Sequence, residues 1–338
     1  MTRASLLRFE LSDPVHGQVP CAALMHEEHN ERELPCCLVL YGGGGSRESL
    51  ASLHPTFERA WALGELPPCI LATPDVGPWS FYLEDRARGF AWESFITGQF
   101  VEHVRTLQRN AAGSASSARF GVIGMSMGGY GALKLAFARP ELFGAVGAVS
   151  PMVEPEREAN EVPLRNRFFY PPEVPQALLG VHRDPALHRA DHPATRARAH
   201  ASELIATRQA IYIDAAGQDA FNAHDGAESL HRVLWELDVP HEYHLRRDAD
   251  HAGPDLAFRM CAALRWVVER LQPPAAERWS EHERAWQAWL SQPTQPAPSV
   301  PLPAESALFP RYLRAMVEPQ RVAAEASDPS VSRRYGLL

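Results

Sequence analysis

Lysine is almost missing from this sequence. Lys134 is the only lysine among 338 residues, so nearly all of the 33 basic residues are arginines, and they are spread along the chain. Acidic residues are more numerous, which gives a formal net charge of −8. A nucleic-acid-binding protein usually carries a basic surface. We therefore expect no nucleic-acid partner.

Cysteines and long apolar runs are scarce as well. The five cysteines form an odd set without a paired metal spacing, which is typical of reduced thiols in the cytoplasm. No segment approaches the roughly 18 to 20 apolar residues of a membrane-spanning helix, and Met1–Glu10 has no signal-peptide pattern. The sequence thus predicts a cytoplasmic protein that contacts no membrane.

Short apolar runs of β type alternate with helical patterns from about residue 5 to residue 271. This order is typical of α/β proteins in which helices cover both faces of a mainly parallel sheet. The runs are continuous, as expected for strands that are buried on both faces. The clearest candidate strands are Cys36–Tyr41, Cys69–Thr73, Arg119–Ile123, Ala145–Ser150, Ile211–Asp214 and Glu242–Leu245.

Two stretches depart from this alternation. Residues 151–201 are rich in Pro, Arg and His and are too long for a plain connection, so we predict a functional, cap-like insertion in a domain of residues 1–272. The extension, residues 273–338, places Trp279, Trp286 and Leu290 on one helical stripe, and a proline-rich linker follows. We expect the extension to pack on the domain, with pairing to a second copy of the chain, as a homodimer, as the alternative.

The segment Gly124-Met-Ser-Met-Gly128 has the pattern G-x-S-x-G between a strand-like run and a helix-forming run. Here the serine lies on a tight strand-to-helix turn, where the glycines avoid clashes and the hydroxyl stands at the helix N-terminus. Ser126 is therefore the candidate nucleophile. The amide of Met127 is the candidate donor to an oxyanion formed on an attacked carbonyl.

Four consecutive glycines, residues 42–45, follow the first of the candidate strands. Backbone amides can approach a substrate closely there, so the run predicts the second oxyanion donor, with Gly43 preferred and Gly44 as the alternative. A phosphate-binding loop is the other interpretation, but the lysine of a P-loop is missing. Since no histidine pair has the spacing of a catalytic metal site either, we predict neither a metal nor a cofactor.

A nucleophilic serine needs a histidine base and an acid that orients it, and in α/β-hydrolases the acid precedes the histidine in the chain. Asp219 lies just past a strand end, where catalytic groups gather in open α/β sheets. Asp214 and Asp225 are the alternative acids. His251 immediately precedes the last predicted helix and is the candidate base.

Together these segments resemble the esterase D family of α/β-hydrolases, which includes S-formylglutathione hydrolases, tributyrin and feruloyl esterases and, more remotely, mycobacterial mycolyltransferases. The resemblance covers about residues 5–271. Its acid segment is matched by Gly217-Gln-Asp-Ala-Phe221 with the acid one place earlier, and its Gly-Gly-His-Asp-Trp by Ala249-Asp-His-Ala-Gly253. Its most similar segments are Gly124–Ala136, Arg139–Gly144, Ser150-Pro151, Trp92–Phe95 and Pro74-Asp75 with Trp79–Tyr82.

The residues and the resemblance together predict an α/β-hydrolase that hydrolyses short-chain or small aromatic carboxylic esters, with Ser126, His251 and Asp219 forming a triad. Because the glycine run replaces the cysteine-containing signature of S-formylglutathione hydrolases, that particular activity is not expected. Acyl transfer to an alcohol and non-catalytic binding are the alternative functions. The candidate substrate-binding residues are Trp79, Phe81 and Tyr82 and, in the insertion, Phe168, Phe169 and Tyr170, with ordinary core packing as the alternative.

Overall fold

Two compact units make up the chain, Met1–Gln272 and Pro273–Leu338. The computed structural model describes residues 4–30, 33–108, 118–155, 162–167, 184–271, 284–286 and 288–289. In the second unit the described residues are helical, and the rings of Trp286 and Trp289 meet edge to face with 5.5 Å between their centroids. Trp279 and Leu290 lie outside the described residues, so the packing of the extension stays a prediction.

An eight-stranded sheet forms the centre of the first unit. Its strand order is β1-β2-β4-β3-β7-β8-β9-β10. From β4 to β10 every neighbouring pair is parallel, whereas β1 and β2 are antiparallel to their neighbours at one edge. These strands are β1 (Ala4–Asp13), β2 (Gly17–His26), β3 (Cys36–Leu40), β4 (Ile70–Pro74), β7 (Phe120–Met125), β8 (Phe143–Val149), β9 (Ala210–Ala216) and β10 (Glu242–Arg246), and a separate hairpin holds β5 (Glu84–Asp85) and β6 (Phe90–Ala91).

Helices connect the parallel strands and cover the sheet. Two of them begin where the sequence favours a start, since Pro185 and Pro193 each occupy a first helical turn. Asp184 accepts hydrogen bonds from two amides of the turn that contains Pro185. The described helices are α1 (Glu48–Ala62), α2 (Trp92–Phe95), a π-helical turn (Ile96–Phe100), α3 (Val101–Gln108), α4 (Met127–Ala138), α5 (Leu164–Arg167), α6 (Pro185–Asp191), α7 (Pro193–Ala206), α8 (His224–Glu236) and α9 (Leu256–Leu271), together with two short 3-10 helices (Glu27–Asn30 and Arg86–Arg88).

The buried side chains form one hydrophobic core on each face of the sheet. Because side chains alternate along a strand, Leu38 of β3 faces one core and its neighbour Val39 faces the other. Helices α4 and α8 cover the first core, and α1 and α9 cover the second. The predicted α/β fold with a mainly parallel sheet is therefore confirmed.

The antiparallel hairpin β1–β2 was not among the predicted strands. Its edge strand β1 has mostly exposed or half-buried residues, so it lacks the continuous apolar run that marks the inner strands. The turn is held by Asp13 Oδ1, which accepts hydrogen bonds of 2.9 Å from the amides of Val15 and His16. In the described residues, no helix combines the length and the apolar character that crossing a bilayer requires.

Candidate active site

Ser126 occupies a strained turn between β7 and α4. Its φ of 56° and ψ of −118° lie in a region that residues other than glycine rarely adopt. The end of β8 holds the turn in place, because the Ser126 amide donates to Val149 O over 3.0 Å and the Met152 amide donates to Ser126 O over 3.0 Å. The serine is thus fixed at the N-terminus of α4, where it was predicted.

The two outer glycines of the G-x-S-x-G pattern are required by close approach. A Cβ on Gly124 would lie 2.0 Å from Gly128 O, and one on Gly128 would lie 2.0 Å from Leu40 O in β3. Both contacts are with backbone, which cannot rotate away as a side chain does. The turn therefore packs against its neighbours only with glycine at these positions.

His251 connects the candidate acid to the candidate nucleophile. Its Nδ1 is 2.7 Å from Asp219 Oδ2, and its Nε2 is 2.8 Å from Ser126 Oγ. A carboxylate beside Nδ1 favours the tautomer with its proton there, which leaves Nε2 free to accept the serine proton. The ring of Phe221 packs edge-on against His251 with centroids 4.7 Å apart. All three predicted residues are buried and lie together.

The loops that carry the acid and the base are joined to each other. The Gln218 amide donates to Ala249 O over 2.9 Å. Asp250 Oδ1 accepts from the Ala220 amide at 3.2 Å and from the His251 amide at 2.6 Å. Each loop therefore fixes the position of the other, and Asp250 is a site residue that the sequence reasoning did not single out.

The alternative acids have other partners. Asp214 is fully buried within β9 and pairs with Arg246 and Arg259. Asp225 lies in α8, where its carboxylate pairs with Arg165 on the first turn of α5. Neither carboxylate is at hydrogen-bond distance from His251 in the described residues, so the geometry favours Asp219.

Arg259 is a buried clamp behind the histidine. Its guanidinium donates to Asp214 Oδ1 at 2.7 Å, to Ser150 Oγ at 2.7 Å and to the carbonyl of Asp250 at 3.0 Å. That carbonyl belongs to the peptide that leads into His251. The sequence pattern could have identified Arg259 as a buried residue. It follows Leu256 by three residues and so lies on the apolar stripe of α9, where a charged side chain is unusual.

The candidate oxyanion donors differ in whether their amides are engaged. Met127 is the first residue of α4, and its amide is one of those that a helix leaves without an internal partner. Gly44 donates its amide to Pro78 O at 2.8 Å, whereas the Gly43 amide has no acceptor among the described residues. Gly42 lies against the nucleophile, because a Cβ there would be 3.3 Å from Ser126 Cβ. Gly43 is therefore the better candidate, and Gly44 is not available in this conformation.

The predicted substrate-binding aromatic residues separate into two groups. Trp79 is half-buried and lies on Gly43, so that a Cβ on that glycine would be 2.2 Å from the indole. Phe81 and Tyr82 were predicted wrongly, because both are core residues, with exposures of 1% and 0%. Both have positive φ angles, which turn their side chains into the core beside α4. Phe168, Phe169 and Tyr170 lie outside the described residues.

The sole lysine of the chain supports the nucleophile helix. Lys134 of α4 is fully buried, and its Nζ is 2.9 Å from Asp191 Oδ1 and 2.8 Å from Tyr82 O. Arg196 binds Glu93 through two contacts of 2.8 Å and also reaches Asp191 at 3.0 Å. Burial lowers the pKa of Lys134, although both carboxylates oppose this effect. The cluster of two cations and two anions ties α4 to α2 and to the start of α7.

The sequence also matches a family model described as a putative esterase, over residues 74–251, which is more than half of the chain. The chain belongs to this esterase family. The match ends at the histidine that contacts Ser126, and with this fold it identifies the enzyme as a carboxylic-ester hydrolase of the esterase D-like group. No protein with a curated description matches the esterase.

Solved structures resemble the esterase in fold at low sequence identity. A ferulic acid esterase has 18% identity and a TM-score of 0.63, covering 80% of this chain and 100% of that chain. S-formylglutathione hydrolase from Agrobacterium tumefaciens has 18% identity, covers 80% and 97%, and has a TM-score of 0.60. The fluorophosphonate-binding serine hydrolase F of Staphylococcus aureus has 16% identity, covers 78% and 98%, and has a TM-score of 0.59. These likenesses establish the α/β-hydrolase fold.

Proposed function

We propose that the enzyme is a serine esterase that hydrolyses short-chain or small aromatic carboxylic esters in two steps. The observation that carries the proposal is the continuous hydrogen-bonded series from Asp219 through His251 to Ser126, with contacts of 2.7 and 2.8 Å. A nucleophile, a base and a group that orients the base are the parts that serine-dependent acyl transfer requires.

In the first step Ser126 Oγ forms a bond to the ester carbonyl carbon while its proton moves to His251 Nε2. The negative charge on the carbonyl oxygen is stabilised by the amides of Met127 and Gly43, each such donor contributing about 3 to 4 kcal/mol. Collapse of this intermediate releases the alcohol, which takes the proton from His251. Water then adds to the acyl-enzyme through the same base, and release of the carboxylic acid restores Ser126.

Labelling with a fluorophosphonate probe tests the proposal. We expect intact-mass analysis to find one adduct on the wild-type enzyme and none on Ser126→Ala, and we expect that variant to lose p-nitrophenyl acetate turnover by on the order of 10⁴-fold or more. Ser52→Ala is the matched control, because Ser52 is an α1 hydroxyl bonded only to Glu48 O among the described residues. Wild-type turnover in Ser126→Ala with a normal melting temperature would exclude the mechanism.

In the proposed reaction the acyl group is transferred from the enzyme to water and not to another alcohol. Adding methanol to the reaction and measuring acid and methyl ester by chromatography separates hydrolysis from acyl transfer. We expect the acid to dominate at low methanol, and a methyl ester as the main product under those conditions would establish an acyltransferase.

A cytoplasmic location is proposed on the state of the thiols. All five cysteines are unpaired, and four of them are buried in the core. Free thiols are typical of proteins in reducing compartments. Fractionation of cells that express the full chain should recover esterase activity with a cytoplasmic marker, and activity confined to another fraction would disprove this location.

A further inference from the structure

An apolar cavity of about 300 Å³ lies beside the loop that carries the candidate oxyanion donor. Its volume is at the lower end of the range for small-molecule sites. The ring of His16 stacks on Trp92 with 3.5 Å between centroids and closes one wall. The apolar lining consists of Val76, Pro78, Trp79, Leu83, Phe90 and Trp92.

The indole of Trp79 lies between this cavity and Gly43. It lines the cavity and also touches Gly43, where a Cβ would be 2.2 Å from its Cζ3 atom. The bond from the Gly44 amide to Pro78 O fixes the glycine run to the segment that carries Trp79. One aromatic ring thus stands between the oxyanion loop and an apolar space.

The position of the cavity indicates that it would hold the acyl group of an ester and not the alcohol group. The leaving alcohol must lie near His251, since it takes its proton from Nε2. No lining residue belongs to the loops that carry Asp219 and His251, because the cavity is formed by residues 16, 76–80, 83, 88–90 and 92. A group that extends past Gly43 toward the cavity is therefore the acyl chain.

We propose that Trp79 sets the acyl-chain limit of this esterase, by closing an apolar cavity that accepts straight alkyl chains of medium length when the ring is removed. The proposal rests on the serine esterase function proposed above. In the wild-type enzyme the ring confines the acyl group to the space beside Gly43, so acetyl to butyryl esters are preferred. Without the ring, the chain continues between the side chains of Phe90 and Leu83.

The test compares kcat/KM for p-nitrophenyl acetate, butyrate and octanoate. Trp79→Ala should raise the octanoate-to-acetate ratio by at least about tenfold, because each methylene that leaves water contributes about fourfold to binding. The double variant Trp79→Ala/Phe90→Trp refills the cavity with an indole and should return the ratio toward the wild-type value. Trp235→Ala removes a tryptophan that is 73% exposed on α8 and should leave the ratio unchanged.

Two results would overturn the proposal. One is a Trp79→Ala enzyme, folded by circular dichroism, in which the ratio stays the same or falls. The other is a gain with octanoate that Phe90→Trp does not reverse, since the chain would then lie elsewhere. Fluorophosphonate labelling of the wild-type enzyme tests the serine mechanism separately from the role of Trp79. If Ser126 is labelled and the ratio is flat, only the role of Trp79 fails, whereas an unlabelled and inactive wild type refutes the serine mechanism itself.

Discussion

Replacing Arg259 by lysine should separate catalysis from binding. Lysine keeps a positive charge beside Asp214 but lacks the fork that reaches Ser150 Oγ at 2.7 Å and Asp250 O at 3.0 Å. Each hydrogen bond to a charged donor contributes about 1.5 kcal/mol or more, so losing both should lower the free energy of unfolding by about 3 kcal/mol. For a domain of this size that corresponds to a melting temperature lower by about 6 to 12 °C.

The kinetic effect follows from the second of these bonds. Without it the carbonyl that precedes His251 is no longer fixed, and a misplacement of about 1 Å lowers the rate of chemistry by up to about 10²-fold. We expect kcat with p-nitrophenyl acetate to fall about 10- to 100-fold. KM should stay within about threefold of its wild-type value, because the ester itself does not contact Arg259.

Arg246→Lys is the matched control. Arg246 also pairs with Asp214, at 2.9 Å, but its side chain is 43% exposed and makes no hydrogen bond to the histidine loop among the described residues. The contact of Arg246 with that loop is through its backbone carbonyl, which accepts from the Ala249 amide and is kept in the variant. We expect a kcat within about twofold of wild type for this variant. A wild-type kcat in Arg259→Lys with a reduced melting temperature would show that the clamp serves only the fold. Equal losses of kcat in both variants would show that the guanidinium bonds to Asp214, and not those to the histidine loop, are what matters.

Further predictions concern other parts of the molecule. Lys134→Met breaks a buried pair with Asp191, and urea titration should show a loss of about 3 to 5 kcal/mol with kcat per active site little changed; an unchanged midpoint would contradict this. Gly128→Ala places a methyl group against Leu40 O and should lower fluorophosphonate labelling more than about tenfold. Burial raises the pKa of all five thiols, so DTNB at pH 8 should modify at most one in the native enzyme and all five in guanidinium, and esterase activity should survive. Burial lowers the pKa of His16 below 6.5. The contribution of His16 to the free energy of unfolding should therefore be complete above pH 6.5 and be lost as the pH falls through the folded-state pKa. NMR titration of the imidazole measures that folded-state pKa.

Local patterns account for the parts of the site that could be predicted. The turn at Ser126 is recognisable from five consecutive residues, Gly124–Gly128, although its backbone also contacts Leu40 and Val149 in the neighbouring strands. Asp219 and His251 follow from topology, because the ends of parallel strands share one edge of the sheet. Asp219 and His251 could therefore be predicted without knowledge of any side-chain contact.

The remaining features depend on contacts that are distant in sequence. Phe81 and Tyr82 follow Trp79, which lines the cavity, by two and three residues. Their own side chains are buried in the core, and both residues have positive φ angles. Whether Gly43 or Gly44 offers its amide is decided by Pro78, which is more than thirty residues away. Arg259 could have been noticed on its apolar stripe, but the three groups that it joins lie in different elements.

The burial of Lys134 also determines how the esterase can be chemically addressed. As the only lysine is enclosed in the core, amine-directed reagents and enzymes that acetylate or ubiquitylate lysine have no exposed lysine side chain to act on. A lysine introduced at a surface position would be the one accessible ε-amine of the chain. Arg232→Lys on α8, where the native side chain is 72% exposed, would provide a single lysine side chain for attaching a dye or a solid support.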